Sequence, residues 1–398
     1  MTHKLYEESA YTREWTSRIV GRLEREHGLY VRLEKTAFYP EGGGQPGDTG
    51  SIGAARVLDT IAEHGEVLHL VDAFPGEEGE ALTCRLDWDR RFDHMQQHSG
   101  QHLLSATALD VLGAPTLSFH LGEDYATIDV DRAEWTESEL EALELEVNAR
   151  IMRNLKISSY EVSAGEAAKL PLVKAPSVEG DVRIVEIEDV EYNACGGTHV
   201  ARTGELGLLK LLRAEKQKGR LRLVFKAGFR ALAEFALQTR VLGSLSAKLS
   251  TPKEELPARL DRMAEDDRRR QAEWNALRVK LDAYAADELL EEAERTGGAA
   301  ARLFDGRTIK DLISLAQVLT PRTPKPVLLG STDEFKLVLS HGGAAGFSCG
   351  ALFKEMLPAF GGRGGGSETS AQAAFGSEAE LVAFYEALKS RLSGGERA

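Results

Sequence analysis

Cysteine is scarce in this chain: among 398 residues there are three, Cys84, Cys195 and Cys349, far apart and odd in number. That excludes a disulfide framework and fits a reducing compartment. Long apolar runs are missing too. No stretch approaches the roughly 18 consecutive apolar residues that a membrane-spanning helix needs, and the opening Met1-Thr2-His3-Lys4-Leu5-Tyr6-Glu7-Glu8 lacks the apolar centre of a signal peptide. A soluble, cytoplasmic protein without a membrane partner is expected. Positive charge is also short, with 49 Lys and Arg against 63 Asp and Glu and a formal net charge of -14. Proteins that grip nucleic acid non-specifically usually show a basic balance, so the composition argues against that class. The length exceeds one ordinary core, and roughly two to four domains are expected.

What the chain does carry is a pair of motifs. In Asp93-His94-Met95-Gln96-Gln97-His98-Ser99-Gly100-Gln101-His102-Leu103-Leu104, His98 and His102 are four residues apart on a predicted helix. Their imidazoles then share one face, about 6 Å apart along the axis, as two ligands of one ion require. The second motif is Cys195-Gly196-Gly197-Thr198-His199, which follows the alternating, β-branched run Val182 to Val190. Its paired glycines let the chain turn back so that Cys195 and His199 point the same way. Three imidazoles and one thiolate suit a single Zn2+ per chain. The plainer use of such a site is to staple helix to loop, and four protein ligands favour it, because catalytic zinc keeps a position open for water. His94, one turn before His98, reads as a packing residue or a support for the ligands rather than a further ligand.

The remaining chain organises around these motifs as an α+β protein. Residues 1–88 read as a small β-barrel of short alternating strands, interrupted by Gly42-Gly43-Gly44-Gln45. Glycines there let backbone approach a partner closely, although a tight turn is the readier explanation. Residues 89–230 read as an α+β metal-binding domain. Its first helix starts near Asp87 or Asp89 and stops at Gly113; Thr136 with Glu139 and Ser163 with Glu166 form capping boxes for two more helices. A hairpin, Leu206 to Leu212 with Leu221 to Lys226, closes it around Gln217-Lys218-Gly219. Residues 231–296 read as a helical hairpin or coiled-coil connector broken at Ser250-Thr251-Pro252, with Pro257 delaying or kinking its second helix. Residues 297–398 read as a compact α/β unit containing the loop Gly361 to Gly366. Between Lys210 and Arg230 the charge turns basic: Lys210, Arg213, Lys216, Lys218, Arg220, Arg222, Lys226 and Arg230 oppose Glu215 alone. A solvated face is the ordinary reading of such a run, but its place beside the CxxxH turn suggests a substrate that is partly phosphate backbone.

Taken together, the HxxxH and CGGTH motifs and the preceding Phe38-Tyr39-Pro40-Glu41-Gly42-Gly43-Gly44-Gln45 resemble the editing domain of alanyl-tRNA synthetases and its free-standing AlaX relatives. The C-terminal part, with Gly361 to Gly366 followed by Ala371-Gln372-Ala373, is similar to the DHH-associated domain that ends the synthetases and the long AlaX form. The resemblance spans essentially the whole chain in order. It implies hydrolysis of the ester joining serine, and possibly glycine, to tRNA(Ala), with zinc held by His98, His102, Cys195 and His199. It also implies that Gln45 belongs to the glycine-rich editing motif, that Thr116, or else Ser118, senses the serine hydroxyl, and that the C-terminal unit can carry a homodimer interface. Nothing before Met1 supplies an aminoacylation domain, so editing without charging is expected. By analogy the terminal loop contacts RNA, although Arg363 interrupts its glycine run. Contacts to tRNA are expected from Lys210, Arg213, Lys216, Lys218, Arg220, Arg222 and Arg363.

An aminoacyl ester is already activated, so the chemistry needed is modest: position it, polarise its carbonyl or orient water, and exclude alanine. The sequence leaves open whether the metal activates water or positions substrate. Two rivals use parts of the same inventory. A zinc-dependent hydrolase of small esters or amides would not need the basic stripe or the terminal unit, and a non-catalytic zinc-stapled tRNA-binding protein would not need Gln45 or Thr116.

Overall fold

Alternation of apolar and polar residues builds the first layer. In the strand Glu14–Arg25, Trp15, Ser17 and Ile19 turn inward while their neighbours face solvent. In the computed structural model, which describes residues 2–173, 180–217, 219–343 and 345–393, this strand joins Gly28–Leu33, Glu66–Val71, Ala55–Glu63, Gly50–Ile52 and Ala81–Leu86, in that order, in a closed barrel. Trp15, Val31, Leu33, Phe38, Ile52 and Val57 fill its interior.

The chain leaves the barrel into the helix Trp88–Leu112. The Asp87 side chain caps it by accepting from the Arg90 amide, and Gly113 ends it at φ 61°, the left-handed conformation that glycine adopts without penalty. From His94 to Ala108 every residue is buried. This helix is therefore an axle through the core and not an amphipathic surface element. One side is covered by a four-stranded sheet in the order Leu209–Gln217, Arg220–Ala227, Ala126–Val130, Thr116–Leu121, and the helix Glu137–Met152 packs beside it through Leu143, Val147 and Ile151. A three-stranded sheet of Ile157–Val162, Val182–Ile187 and Glu191–Ala194 delivers the cysteine loop. Both expected capping boxes form, at Thr136/Glu139 and Ser163/Glu166.

Arg91, on the first turn of the axle, has no exposed side-chain surface and pairs with Asp48, which has none either. Its remaining donors reach the carbonyls of Ala10 and Ala37. The pair fastens the helix to the barrel.

Several expectations need revision. The run Val182 to Val190 is not one strand: Asp189 takes φ 59° and folds it into a hairpin, so Cys195 follows the return strand. The closing hairpin runs Leu209–Gln217 with Arg220–Ala227, while Leu206 ends a short 3-10 turn; Lys218 lies outside the described residues. Pro257 sits in the first turn of the helix Leu256–Thr296, where a missing amide costs nothing, so it starts that helix and does not kink it.

The chain forms two compact units, residues 1–248 and 249–398. The expected connector is divided between them. Ala285, Ala286, Leu289 and Ala293 of the long helix belong to the core of the second unit, against Leu312, Leu315 and Val327. That unit holds a five-stranded sheet in the order Ala300–Phe304, Val327–Ser331, Lys336–Ser340, Ser370–Ala374, Arg363–Gly366. One pairing is parallel and three are antiparallel, so the sheet is mixed. Among the described residues, no helix is long and apolar enough to cross a membrane.

A cut after Lys226 would remove Ala227, whose backbone exchanges hydrogen bonds with Gln97, and Arg230, which pairs with Asp93, all on or against the axle. Residues 1–248 should instead fold alone and retain bound metal, as judged by circular dichroism and metal analysis; a 1–226 fragment should be markedly less stable. Separately, Asp48→Ala leaves Arg91 buried without its anion and should cost about 3–5 kcal/mol in urea denaturation.

Candidate metal centre

The axle places His98 and His102 on one face, and the loop after Glu191–Ala194 brings Cys195 and His199 against them. The four donor atoms all lie within 4.8 Å of one another. Cys195 Sγ is 3.5 Å from His98 Nε2 and 3.4 Å from His199 Nε2. A tetrahedral zinc with sulfur at about 2.3 Å and nitrogen at about 2.0–2.1 Å requires sulfur–nitrogen edges of about 3.5 Å, so the donor set fits zinc in chemistry and these two edges fit it in spacing.

Each ring is held from behind. His98 Nδ1 donates to Gln45 Oε1 at 3.0 Å, His102 Nδ1 to Glu191 Oε2 at 2.7 Å, and His199 Nδ1 lies 3.0 Å from Ser99 Oγ. Fixing the proton on Nδ1 leaves the Nε2 lone pair for the metal. Gln45 is itself clamped, since its Oε1 also accepts from the Thr198 amide and its Nε2 donates to the Thr198 hydroxyl. Arg183 donates to the carbonyls of Cys195 and Gly197 and so braces the loop from the neighbouring strand. A side chain at Gly197 would begin 2.2 Å from the His98 ring, so only glycine lets the loop come this close. Phe119 stacks on the outer face of His98, with ring centroids 5.5 Å apart.

The electrostatics suit a cation. Burial pushes the Cys195 thiol up, but the His98, His199 and His102 rings together pull it well below its ordinary value. At His102 burial acts downward, and Glu191 and Cys195 outweigh it to raise the ring to about 10. His199 is driven down to about 3, chiefly by burial. The site thus holds a thiolate and a buried carboxylate around a proton that a divalent cation would displace.

Other expected residues are placed differently. Thr116 is half-buried and donates to Ser105, which also receives a bond from Gln101. Ser118 turns the other way, bonding Asp129 on the exposed side of the sheet. His94 is buried, one turn from His98, and is not among the converging donors. The basic stripe is largely paired: Lys210 with Glu144, Arg213 with Glu215, Lys216 with Glu134, Arg222 with Asp129, Lys226 with Glu234 and Arg230 with Asp93. Strand alternation puts Arg213, Arg220 and Arg222 on one face of the hairpin and Lys216 on the other. Arg363 is exposed on the edge strand of the second unit. Ser99, Arg183, Glu191 and Phe119 carried no signal in the spacing of either motif.

The segment with the cysteine loop and the closing hairpin, residues 182–224, matches the model of the threonyl and alanyl tRNA synthetase second additional domain. Over 387 residues, 94% of each chain, the sequence is 32% identical to alanyl-tRNA editing protein AlaX-L of Pyrococcus horikoshii. It is 37% identical over 256 residues to alanyl-tRNA editing protein Aarsd1 of Danio rerio, covering 63% of this chain and 62% of that one. An alanine–tRNA ligase of Pyrococcus abyssi matches at 31% over 388 residues, covering 93% of this chain and 42% of the ligase. The chain belongs to the alanyl-tRNA editing protein family.

Because Gln45 orients His98, Gln45→Ala should weaken zinc binding, measured by competition with a chelating dye, by about tenfold. Cys195→Ala should lose the metal outright. Zinc affinity should fall as pH drops from 8 to 6, since protons compete for the same nitrogens and sulfur.

Proposed function

We propose that this chain hydrolyses the ester of tRNA(Ala) mischarged with serine, and also with glycine, releasing amino acid and tRNA without any aminoacylation activity of its own. One observation carries the reading: a buried three-histidine, one-cysteine cluster in a chain related over nearly its full length to an alanyl-tRNA editing protein. Zinc held by His98, His102, Cys195 and His199 would supply a fixed positive charge against which the substrate carbonyl or amino group is placed.

The chain's own residues do the rest. Gln45 has both ends of its amide engaged, so it acts on the reaction by holding His98 and Thr198 in place. Gln101, Ser105 and Thr116 form a row of polar groups along the helix face that carries His98 and His102. A seryl hydroxyl can join that row, whereas an alanyl methyl group would strand one of its members, and selectivity against the correctly charged tRNA follows. Phe119, stacked over His98, shields the centre from water. Arg213, Arg220 and Arg222 on the outer face of the hairpin, together with Lys210 and Lys216, take phosphates of the acceptor arm, and Lys218, outside the described residues, is assigned the same role from the sequence. Arg363 supplies a further tRNA contact from the second unit, which also carries the homodimer interface.

Purified protein incubated with Ser-tRNA(Ala), Gly-tRNA(Ala), Ala-tRNA(Ala) and a free seryl ester tests the reading. Rapid deacylation of the first two is expected. Equal cleavage of the free ester would make it a general esterase, and tight tRNA binding without hydrolysis would reduce the metal to a staple. Thr116→Val keeps the shape but removes the hydroxyl, and should shrink the ratio of Ser-tRNA(Ala) to Ala-tRNA(Ala) cleavage by about tenfold. An unchanged ratio would place the sensor elsewhere.

A further inference from the structure

A cavity of about 330 Å³ lies between the N-terminal segment and the three-stranded sheet that delivers the cysteine loop, at the small end of the roughly 300–1,000 Å³ typical of small-molecule sites. Two of its wall residues, Glu161 on the strand Ile157–Val162 and Arg183 on Val182–Ile187, stand opposite each other in the antiparallel register. Side chains so placed share a face, with Cβ atoms about 4.5–5.5 Å apart, and opposite charges there ordinarily pair. These two do not. Arg183 turns Nη1 to the carbonyls of Cys195 and Gly197, at 2.8 Å each, and Glu161 makes no ion pair or hydrogen bond among the described residues.

With Nη1 committed to the loop, what Arg183 has left for the cavity is its other edge. Nε and Nη2 have no partner among the described residues and are not buried, so both are open to a ligand. That edge presents two parallel donors, the geometry that takes a carboxylate side-on. The other charges of the wall narrow the ligand further. Lys4 is engaged by Glu7 at 3.1 Å and His3 by Glu8 at 2.8 Å, which leaves the Arg183 edge and the Glu161 carboxylate as the two uncommitted charges among the described residues there. A phosphate would bring its negative charge against Glu7, Glu8 and Glu161 with one guanidinium to offset them. A ligand that carries a carboxylate and an ammonium group a few bonds apart satisfies both, the first on Arg183 and the second on Glu161. The Ser159 hydroxyl, two residues from Glu161 along the same face, offers the ammonium group a further acceptor.

We propose that this cavity binds a free α-amino acid with a small side chain, and that the bound ligand steadies the cysteine loop through Arg183. A guanidinium is planar and rigid, so a carboxylate that fixes one edge also fixes Nη1 on the two loop carbonyls. Amino-acid binding and metal binding are then linked, each strengthening the other. Hydrolysis of the ester would release such a ligand, but the cavity selects it by its own groups whether or not the chain is a deacylase.

Isothermal titration of the zinc-loaded full chain with L-serine and with L-alanine tests the site. Saturable binding is expected, and neither alaninamide, which lacks the carboxylate, nor propionate, which lacks the ammonium group, should reproduce it. Glu161→Gln should weaken it by about tenfold, the worth of one charge-assisted hydrogen bond, with zinc content unchanged. No saturation at about 10 mM amino acid would overturn the proposal. So would binding that Glu161→Gln leaves intact and Cys195→Ala removes, since the amino acid would then sit on the metal. With the site filled, transfer of zinc to a chelating dye should slow by about fivefold in the wild type and stay unchanged in Glu161→Gln; an equal rate with and without amino acid in the wild type would overturn the link through Arg183. A protein that binds amino acids through Glu161 and deacylates no tRNA would overturn the deacylase reading and leave this site standing.

Discussion

The arrangement of the first unit depends on one buried ion pair. Arg91 and Asp48 are wholly withdrawn from solvent, and both are bonded on every side: Asp48 also takes the Tyr39 amide, and its carbonyl takes the Thr60 hydroxyl. Such a pair adds little stability over well-packed apolar residues, since desolvating two charges offsets most of their attraction. What it fixes is register. It pins the segment from Ala37 to Asp48 against the first turn of the axle, and Gln45 lies within that segment. Two turns further along, His98 waits for the Gln45 carbonyl oxygen. The metal site is thus assembled from the barrel, the axle and the cysteine loop, and the ion pair sets the distance between the first two.

From that register three groups of hydrogen bonds converge on the centre. Gln45 links His98 to Thr198, Ser99 links His199 to the Val200 amide, and Glu191 holds His102 from the strand that leads to Cys195. Each histidine of the cluster is oriented by a residue from a different part of the chain: His98 by Gln45, His102 by Glu191 and His199 by Ser99. A ligand shell built this way cannot relax one member without disturbing another, which is the preorganisation that a positioned ester requires. Gly197 contributes by having nothing to add, because any side chain there would occupy the place of the His98 ring.

How legible this was in the sequence follows from the range of each interaction. Both halves of the donor set are local patterns, four residues apart on a helix and four apart across a turn, so the residues that converge could be read directly. The caps at Asp87, Thr136 and Ser163 and the stop at Gly113 are equally local, and all were readable. Gln45 was visible as part of a glycine-rich motif but not in its role, because its partners are 53 and 153 residues away. Glu191 and Arg91 were missed for the same reason: nothing near Glu191 or Arg91 announces a partner 89 or 43 residues distant. The Val182 to Val190 run misled because β-branched alternation continues through Asp189, and only the backbone reveals the turn there. Helical composition between 231 and 296 does not say which core a helix joins, and Ala285, Ala286, Leu289 and Ala293 of the long helix pack with Leu312, Leu315 and Val327.

The basic stripe shows how charge read along a chain differs from charge arranged in space. Five of the eight cations between Lys210 and Arg230 face a carboxylate from outside the stripe (Glu144, Glu134, Asp129, Glu234 and Asp93) and Arg213 pairs with Glu215 within it, so the field of the stripe is weaker than its composition suggests. Pairing does not disable these groups. An exposed ion pair is worth only about 0–1 kcal/mol, so a phosphate can displace the carboxylate at small cost when its geometry is better. Binding through such pairs rewards a backbone of the right shape and gives little to one that offers charge alone. In a chain with a net charge of -14, cations that are already paired offer little free charge to a polyanion of the wrong shape.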